Sequence, residues 1–301
     1  MSEGVNPLIG NNIAVVIASL GRPQNVAALL DRLALQTQPP AQVILSMESA
    51  ADAPPDGTHP FAVETIFGPR GSCVQRNRGL DRLAPGIDLV VFYDDDFVPS
   101  RFALAGMARF FADHPQVAGA HGLVLQDGIK GPGIPAAEAV RIVDAADAAG
   151  APPPGRILRR THGLYGCNMA YRTAAIRDVR FDEDLPLYAW FEDLDFGARV
   201  PGDLVQTDAF QGVHCGEKRG REKSGRRLGY SQVANPVYMM RKGTLSRGIV
   251  VRSILKLCLV NHLRQMRPEP WIDRRGRAAG NRLALYEFLR GRIDPKRIHD
   301  L

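Results

Sequence analysis

The sequence predicts an α/β fold with a mostly parallel central sheet and helices on both of its faces, and three observations point to it. Short β-branched apolar runs alternate with stretches of helical periodicity over the first hundred residues. Polar residues collect just past the ends of those runs. Three consecutive aspartates, Asp94 to Asp96, close the fourth run. Alternation of this kind implies parallel strands joined through crossover helices. In such sheets ligands sit in the crevice beyond the carboxyl ends of the strands.

Each element follows from local pattern. NIAVVIASL (12–20) is a buried strand. Residues 23–38 place Val26, Leu29, Leu30 and Leu33 at helical spacing, with Pro23 in the first turn. PPAQVILSMES (39–49) is a second strand, followed by an Ala/Pro/Asp/Gly loop to Pro60. AVETIFG (62–68) is a third strand. SCVQRNRGLDRLA (72–84) is a helix with Ser72 as its cap. IDLVVFYD (87–94) is the fourth strand. A helix over 100–115, capped by Ser100, and a strand over 116–126 come next. Gly/Pro-rich stretches then bracket an irregular insertion with a short helix inside it. Residues 162–179 read as strand then helix, the second half of 181–200 as helix, and 203–216 as a strand leading to His214. Helices are expected around 230–242 and over 249–266.

Of the 301 residues, 45% are hydrophobic and 23% charged, an ordinary globular balance. The net charge of +6 is uneven, with basic residues crowding the last third. Four widely spaced cysteines form no CxxC pair, which argues against structural zinc and for a reducing compartment. The N-terminus lacks the basic start and apolar core of a signal peptide. No uncharged apolar run reaches the ~18 residues of a spanning helix. These features lead us to expect a soluble, cytoplasmic protein.

Two carboxylates at i and i+2, held at a strand end, can share one hard divalent cation, and oxygen ligands suit Mg2+ or Mn2+. Without a metal, their repulsion would raise one pKa. A solvated acidic turn would not need the rigid apolar strand behind Asp94. The stretch lacks the glycine and terminal glutamate of an EF-hand loop.

Seven stretches, in order, resemble the family 2 glycosyltransferases of GT-A fold: AVVIASLGRP (14–23), VILSMESAAD (43–52), GSCVQRNRGLDRL (71–83), VVFYDDDFVPS (90–100), LYGCNMAYR (164–172), FDEDLPLYAWFEDLDFGARV (181–200) and DAFQGVHCG (208–216). The resemblance implies a GT-A, Rossmann-like domain over 1–245, its nucleotide-binding half at about 12–100 and its acceptor half at about 101–245. A C-terminal helical extension would span 246–301. It implies a UDP-, GDP- or dTDP-linked sugar donor, a saccharide or lipid-linked acceptor, Mn2+ or Mg2+ as cofactor, and transfer with inversion.

Carried over by motif, Asp94 and Asp96 are the DxD pair. Asp96 and His214 would hold the metal, and Asp94 or Asp95 would reach the ribose or complete the metal shell. Ser19, Arg22 and Glu48 would line the base and ribose pocket, and Arg76 would approach the nucleotide or its phosphates. The family usually has two acidic residues where this chain has Met47-Glu48. Asp193 maps to the catalytic base. Glu192, Trp190 and Asn168 would bind the acceptor, with Trp190 and Phe191 as an aromatic wall for a sugar ring.

Lys218, Arg219, Arg221, Lys223, Arg226 and Arg227 could close over a diphosphate. Nucleic acid fits less well, since aromatic interleaving is lacking. The basic, apolar 249–266 helix suits packing on its own domain, a second subunit or an anionic membrane surface. Two rivals are a sugar-phosphate nucleotidyltransferase, which would want a glycine-rich loop where SLGRP stands, and a non-catalytic nucleotide-sugar-binding module.

Overall fold

The structure, a computed structural model, describes residues 12–152, 154–218 and 225–301. The first half follows the expected alternation: β1 (Ile13–Ala18), α1 (Pro23–Ala34), β2 (Gln42–Met47), β3 (Val63–Phe67), α2 (Ser72–Leu80) and β4 (Leu89–Asp94). Then come β5 (Phe97–Pro99), α3 (Ala103–Asp113), β6 (Val117–Asp127), α4 (Ala136–Asp147), β7 (Ile157–Arg160), β8 (Asn168–Arg172), α5 (Glu192–Arg199) and β9 (Asp203–His214). Three helices finish the chain: α6 (Gly225–Lys242), α7 (Arg247–Arg264) and α8 (Arg274–Leu289).

All strands join one sheet in the order β3-β2-β1-β4-β8-β6-β9-β5, with β7 also on β9. The β3-β2-β1-β4 ladder is wholly parallel. Beyond it β8 runs antiparallel to both β4 and β6. Sheet polarity therefore changes directly beside the strand that carries the aspartates.

Both faces are covered, because successive residues of a strand point to opposite sides. Ile13, Val15 and Ile17 pack with Leu29, Leu30 and Leu33 of α1 and with Phe110 and Phe111 of α3. Val16, Ile44, Val90 and Phe92 face the other way, toward Cys73 and Leu80 of α2 and Phe196 of α5. Gly106 permits close approach on the first face, since a Cβ there would lie 2.0 Å from the Ala209 carbonyl oxygen of β9. A third cluster joins Tyr230, Val233 and Val237 of α6 to Ala284 of α8 and to Ile293 and Ile298. Among the described residues no helix is long and apolar enough to cross a membrane.

Several local expectations are corrected. Gly71, not Ser72, is the cap of α2, and Phe102, not Ser100, that of α3. The Ser100 hydroxyl instead accepts from the Phe102 amide and donates to Asp147 at 2.5 Å. After β8 the chain makes only a 3-10 turn, Thr173–Ile176, where a helix was expected. β5 and β7 were not anticipated, nor was α8 as a separate element.

Candidate functional site

The aspartate triplet is the turn between β4 and β5. The register of β5 on β9 sets Phe97 opposite His214, so Asp96 arrives beside that histidine. On its other edge β9 pairs with β6, and Asp127 stands opposite His214. Two ladders thus converge on one imidazole. Asp94, Asp96 and His214 each offer a ligand atom within 4.8 Å of the others. His214 Nε2 lies 3.5 Å from Asp96 Oδ1 and 4.0 Å from Asp94 Oδ2. Its Nδ1 meets Asp127 Oδ1 at 2.9 Å, and the Tyr165 hydroxyl donates to Asp127 at 2.9 Å.

This set fits a divalent cation. His214 Nε2 is buried without a hydrogen-bond partner among the described residues. A neutral imidazole donating from Nδ1 to Asp127 turns its Nε2 lone pair toward the two carboxylates, the arrangement that orients metal-ligating histidines. A proton can satisfy the same group. Burial works against the charge on His214, but hydrogen bonds to Asp127 and Asp96 outweigh it and raise its pKa to about 9. Burial alone would raise the Asp96 carboxyl. The His214 hydrogen bond and the His214 and Arg22 charges hold it well below the usual carboxylate range.

Asp95 is turned away from this cluster. It accepts from Ser19 Oγ at 2.5 Å and pairs with Arg22 at 2.8 Å, tying the β1–α1 loop to the triplet. Burial outweighs Arg22 and pushes its carboxyl up to about 7. Of Asp94 and Asp95, it is Asp94 that joins Asp96 and His214, while Asp95 lines the cavity beside Ser19 and Arg22. Asp52, which sequence reasoning passed over, fixes the same loop by accepting from the Gly21 amide at 2.6 Å.

Across the cavity stand the α5 carboxylates. Phe191, at the N-cap of α5, has φ +72°, and Leu187 and Ala189 are also left-handed. Three such non-glycine residues within one short stretch are a costly backbone that the surroundings must impose. The result turns Trp190 and Phe191 into a ring pair 5.1 Å apart beside Glu192 and Asp193. Asp193 accepts from the Leu194 amide at 2.8 Å and the Gly166 amide at 3.2 Å, which fixes its orientation. Burial raises its pKa, and burial also lifts Glu192 to about 7 against the pull of Arg76.

Arg76 joins the two groups. This buried guanidinium donates to Glu192 Oε1 at 2.6 Å and to Asp94 Oδ1 at 3.1 Å. It also lines the cavity, but both carboxylates hold it, so its charge is already shared before any phosphate arrives.

One cavity of about 1450 Å3 is lined by Ser19, Arg22, Arg76, Asp94, Asp193 and His214 among others. That exceeds the roughly 300–1,000 Å3 of a single small-ligand site. Three expected residues stand off the lining, Glu48, Asp96 and Asn168. Glu48 is exposed, 4.0 Å from Arg70. Asn168 is fully buried at the start of β8, opposite Tyr93, which places it behind the wall. Of the expected basic loop, Arg219, Arg221 and Lys223 lie outside the described residues. Lys218 donates to the Gly128 and Ile129 carbonyls, and Arg227 lines the cavity and donates to the Leu301 carbonyl at 2.8 Å. Asp127 and Tyr165 escaped the sequence reading; the available signal was an acid at a strand's carboxyl end, as at Asp94.

No family model and no curated protein matches the chain. Among solved structures, it is similar to the mannosyltransferase PcManGT from Pyrobaculum calidifontis, solved with GDP-Man and Mn2+. Identity is 16%, the match covers 95% of this chain and 84% of that one, and the TM-score is 0.52. S. aureus TarS 1-349 is 14% identical over 93% of this chain and 92% of that one, at TM-score 0.47. The match to a longer TarS chain spans 40% of it. Glucosyl-3-phosphoglycerate synthase from Mycobacterium tuberculosis, solved with Mn2+, UDP and glucosyl-3-phosphoglycerate, is 15% identical over 79% and 82%, at TM-score 0.45. The likeness to PcManGT shows the fold of this chain, and that fold is the GT-A fold that the sequence resemblance implied.

Proposed function

We propose that this chain transfers a sugar from a nucleotide-diphosphate donor to an acceptor hydroxyl with inversion. The observation that carries this reading is the shared cavity, which sets Asp94 and His214 against the buried pair Glu192 and Asp193. A donor of the class bound by PcManGT suits the strand-end side, where Ser19 and Arg22 would meet the nucleotide. The residues from 12 to about 100 form the donor half, those from 101 to 245 the acceptor half, and 246–301 the extension that closes the cavity wall.

Asp94, Asp96 and His214 would hold Mn2+ or Mg2+, whose charge would offset that of the diphosphate. Asp193 takes the acceptor proton, its carboxylate fixed by one backbone hydrogen bond to each oxygen. The acceptor oxygen forms its bond to the anomeric carbon as the bond to the diphosphate oxygen breaks. The diphosphate leaves with the electron pair. Arg76 bridges Glu192 and Asp94, and Trp190 supplies a face for the acceptor ring. Four free cysteines, three of them buried, suit a reducing cytoplasm.

The test is release of nucleoside diphosphate from a panel of UDP-, GDP- and dTDP-sugars with Mn2+. Asp193→Asn should lower transfer by roughly 100- to 10,000-fold, while donor affinity by calorimetry changes less than about twofold. Loss of donor binding in that variant would reject the base assignment. Pyrophosphate as product would point to a nucleotidyltransferase, and binding without turnover to a non-catalytic module.

A further inference from the structure

The helix α7 packs Ile254 and Cys258 against the third cluster and still leaves apolar side chains on its outer side. Its buried residues are Val250 and Asn261, and Asn261 is held by a polar network. The Asn261 amide donates to Gln232 and to Asn281, each at 2.9 Å, and its carbonyl oxygen accepts from Arg274 at 2.9 Å. The leucines point outward. Val251 is 54% exposed, Leu255 65%, Leu259 60%, Leu263 56% and Met266 74%. From Val251 to Leu263, at four-residue spacing, these side chains form one stripe about 18 Å long at 1.5 Å per residue, with Met266 just past the helix end. Phe288 and Leu289 of α8 are also exposed, and Phe288 shares an apolar groove with Val251 and Leu255. A patch of this kind marks an interaction surface.

Charge says what covers it. Arg252 and Lys256 each follow a stripe residue by one position and so border the stripe. The stretch 247–268 contains five Lys or Arg and no Asp or Glu. Residues 247–301 hold 13 basic and 5 acidic residues, a surplus of eight in a chain whose total is +6. The whole positive excess of the protein therefore lies in this segment. A second copy docked by the same stripe would bring like charges together without an acidic partner in the helix.

We infer that α7 docks on an anionic lipid bilayer, its leucines entering the interface and Arg252 and Lys256 meeting headgroup phosphates. An exposed apolar stripe with cations beside it and no acidic residue suits contact with an anionic membrane surface. Thr244, Leu245 and Ser246, just before α7, and Ile249 in its first turn line the same cavity as Trp190 and Asp193. Docking therefore brings the acceptor side of the cavity to the bilayer, and an acceptor carried on a lipid would reach Asp193. That last step rests on the glycosyltransferase reading; the docking does not.

The test is co-sedimentation of the full chain with vesicles of phosphatidylcholine, alone or mixed with phosphatidylglycerol. Binding to the mixed vesicles is expected to exceed that to neutral ones roughly tenfold or more and to weaken with salt. Leu255→Glu/Leu259→Glu should abolish it, and Arg252→Glu/Lys256→Glu should reduce it roughly tenfold or more. Both pairs are exposed, so unfolding temperatures should stay near that of the parent. No vesicle binding, or binding indifferent to both double variants, overturns the inference. So does a dimer in light scattering that Leu255→Glu/Leu259→Glu dissociates while vesicles bind nothing. Release of nucleoside diphosphate from the donor in the presence of a soluble acceptor, measured in parallel, reports on the transferase reading separately.

Discussion

Replacing Arg76 with alanine would leave two carboxylates facing a void where a guanidinium now sits 2.6 Å from Glu192 and 3.1 Å from Asp94. Breaking a buried ion pair from one side costs about 3–5 kcal/mol, mostly the cost of the charge left behind. Asp94 is partly open to water, so the Glu192 side dominates, and the lower end of that range applies. Loss of the contact over Phe181, at 5.4 Å, adds about 0.5–1 kcal/mol. The sum is about 4 kcal/mol near neutral pH, or roughly 8 °C at about 2 °C per kcal/mol for a chain of this size.

The pH dependence has a definite sign. Burial raises the Glu192 carboxyl from 4.5 to about 7 even with Arg76 present. A group raised in the folded state gives stability that is full below its unfolded pKa and is lost as pH rises through the folded one. Without Arg76 the folded value climbs further, so the loss extends to higher pH. The Arg76→Ala deficit should therefore be larger at about pH 8 than at about pH 5, where Glu192 is neutral and needs no cation. Adding Glu192→Gln should recover roughly 1–3 kcal/mol. Urea unfolding of the four proteins at both pH values is the assay. A deficit under about 1 kcal/mol that ignores pH would refute the reasoning.

Three further outcomes are expected. Asp127→Asn removes the carboxylate that orients His214, so calorimetric Mn2+ affinity should fall roughly 10- to 100-fold; an unchanged affinity would deny Asp127 that role. Because burial raises Asp193 and a base must be ionised to accept a proton, the acid limb of the transfer rate should lie above the ordinary aspartate value of about 3.9. A rate that holds constant down to that value would remove Asp193 as base. Gly106→Ala sets a methyl against the Ala209 carbonyl and should cost about 2–3 kcal/mol in a denaturant titration, with parental stability refuting the close approach of α3 to β9.

The parallel half was legible because its strands are buried on both faces and so read as unbroken β-branched runs, IAVVIA in β1 above all. Helix α1 announced itself through Pro23 and the spacing of its leucines. Strand β5 did not, because three residues carry no period and its partner, β9, lies more than a hundred residues away. Strand β7 is largely exposed and basic, so it shows no alternation. In the site, Asp94, Asp96 and His214 were readable as residue types at strand ends. Their meeting point depends on two registers along β9 that local sequence does not encode. The carboxylate partners of Arg76 were not legible, because they are separated from it along the chain. The physical clue lay in α2 itself: Arg76 shares a face with Cys73 and Leu80, and a cation on an apolar face must be paired.

The change of strand direction between β4 and β8 has an outcome for divergence. On one side, every connection that reaches the cavity comes from the ladder holding Ser19 and Asp94. On the other, segments 161–167 and 187–193 enter from strands and loops that never hydrogen-bond to β1, β2 or β3. Selection can remodel the wall around Trp190, where the proposed acceptor would sit, while the ladder that holds Ser19 and Asp94 keeps its framework.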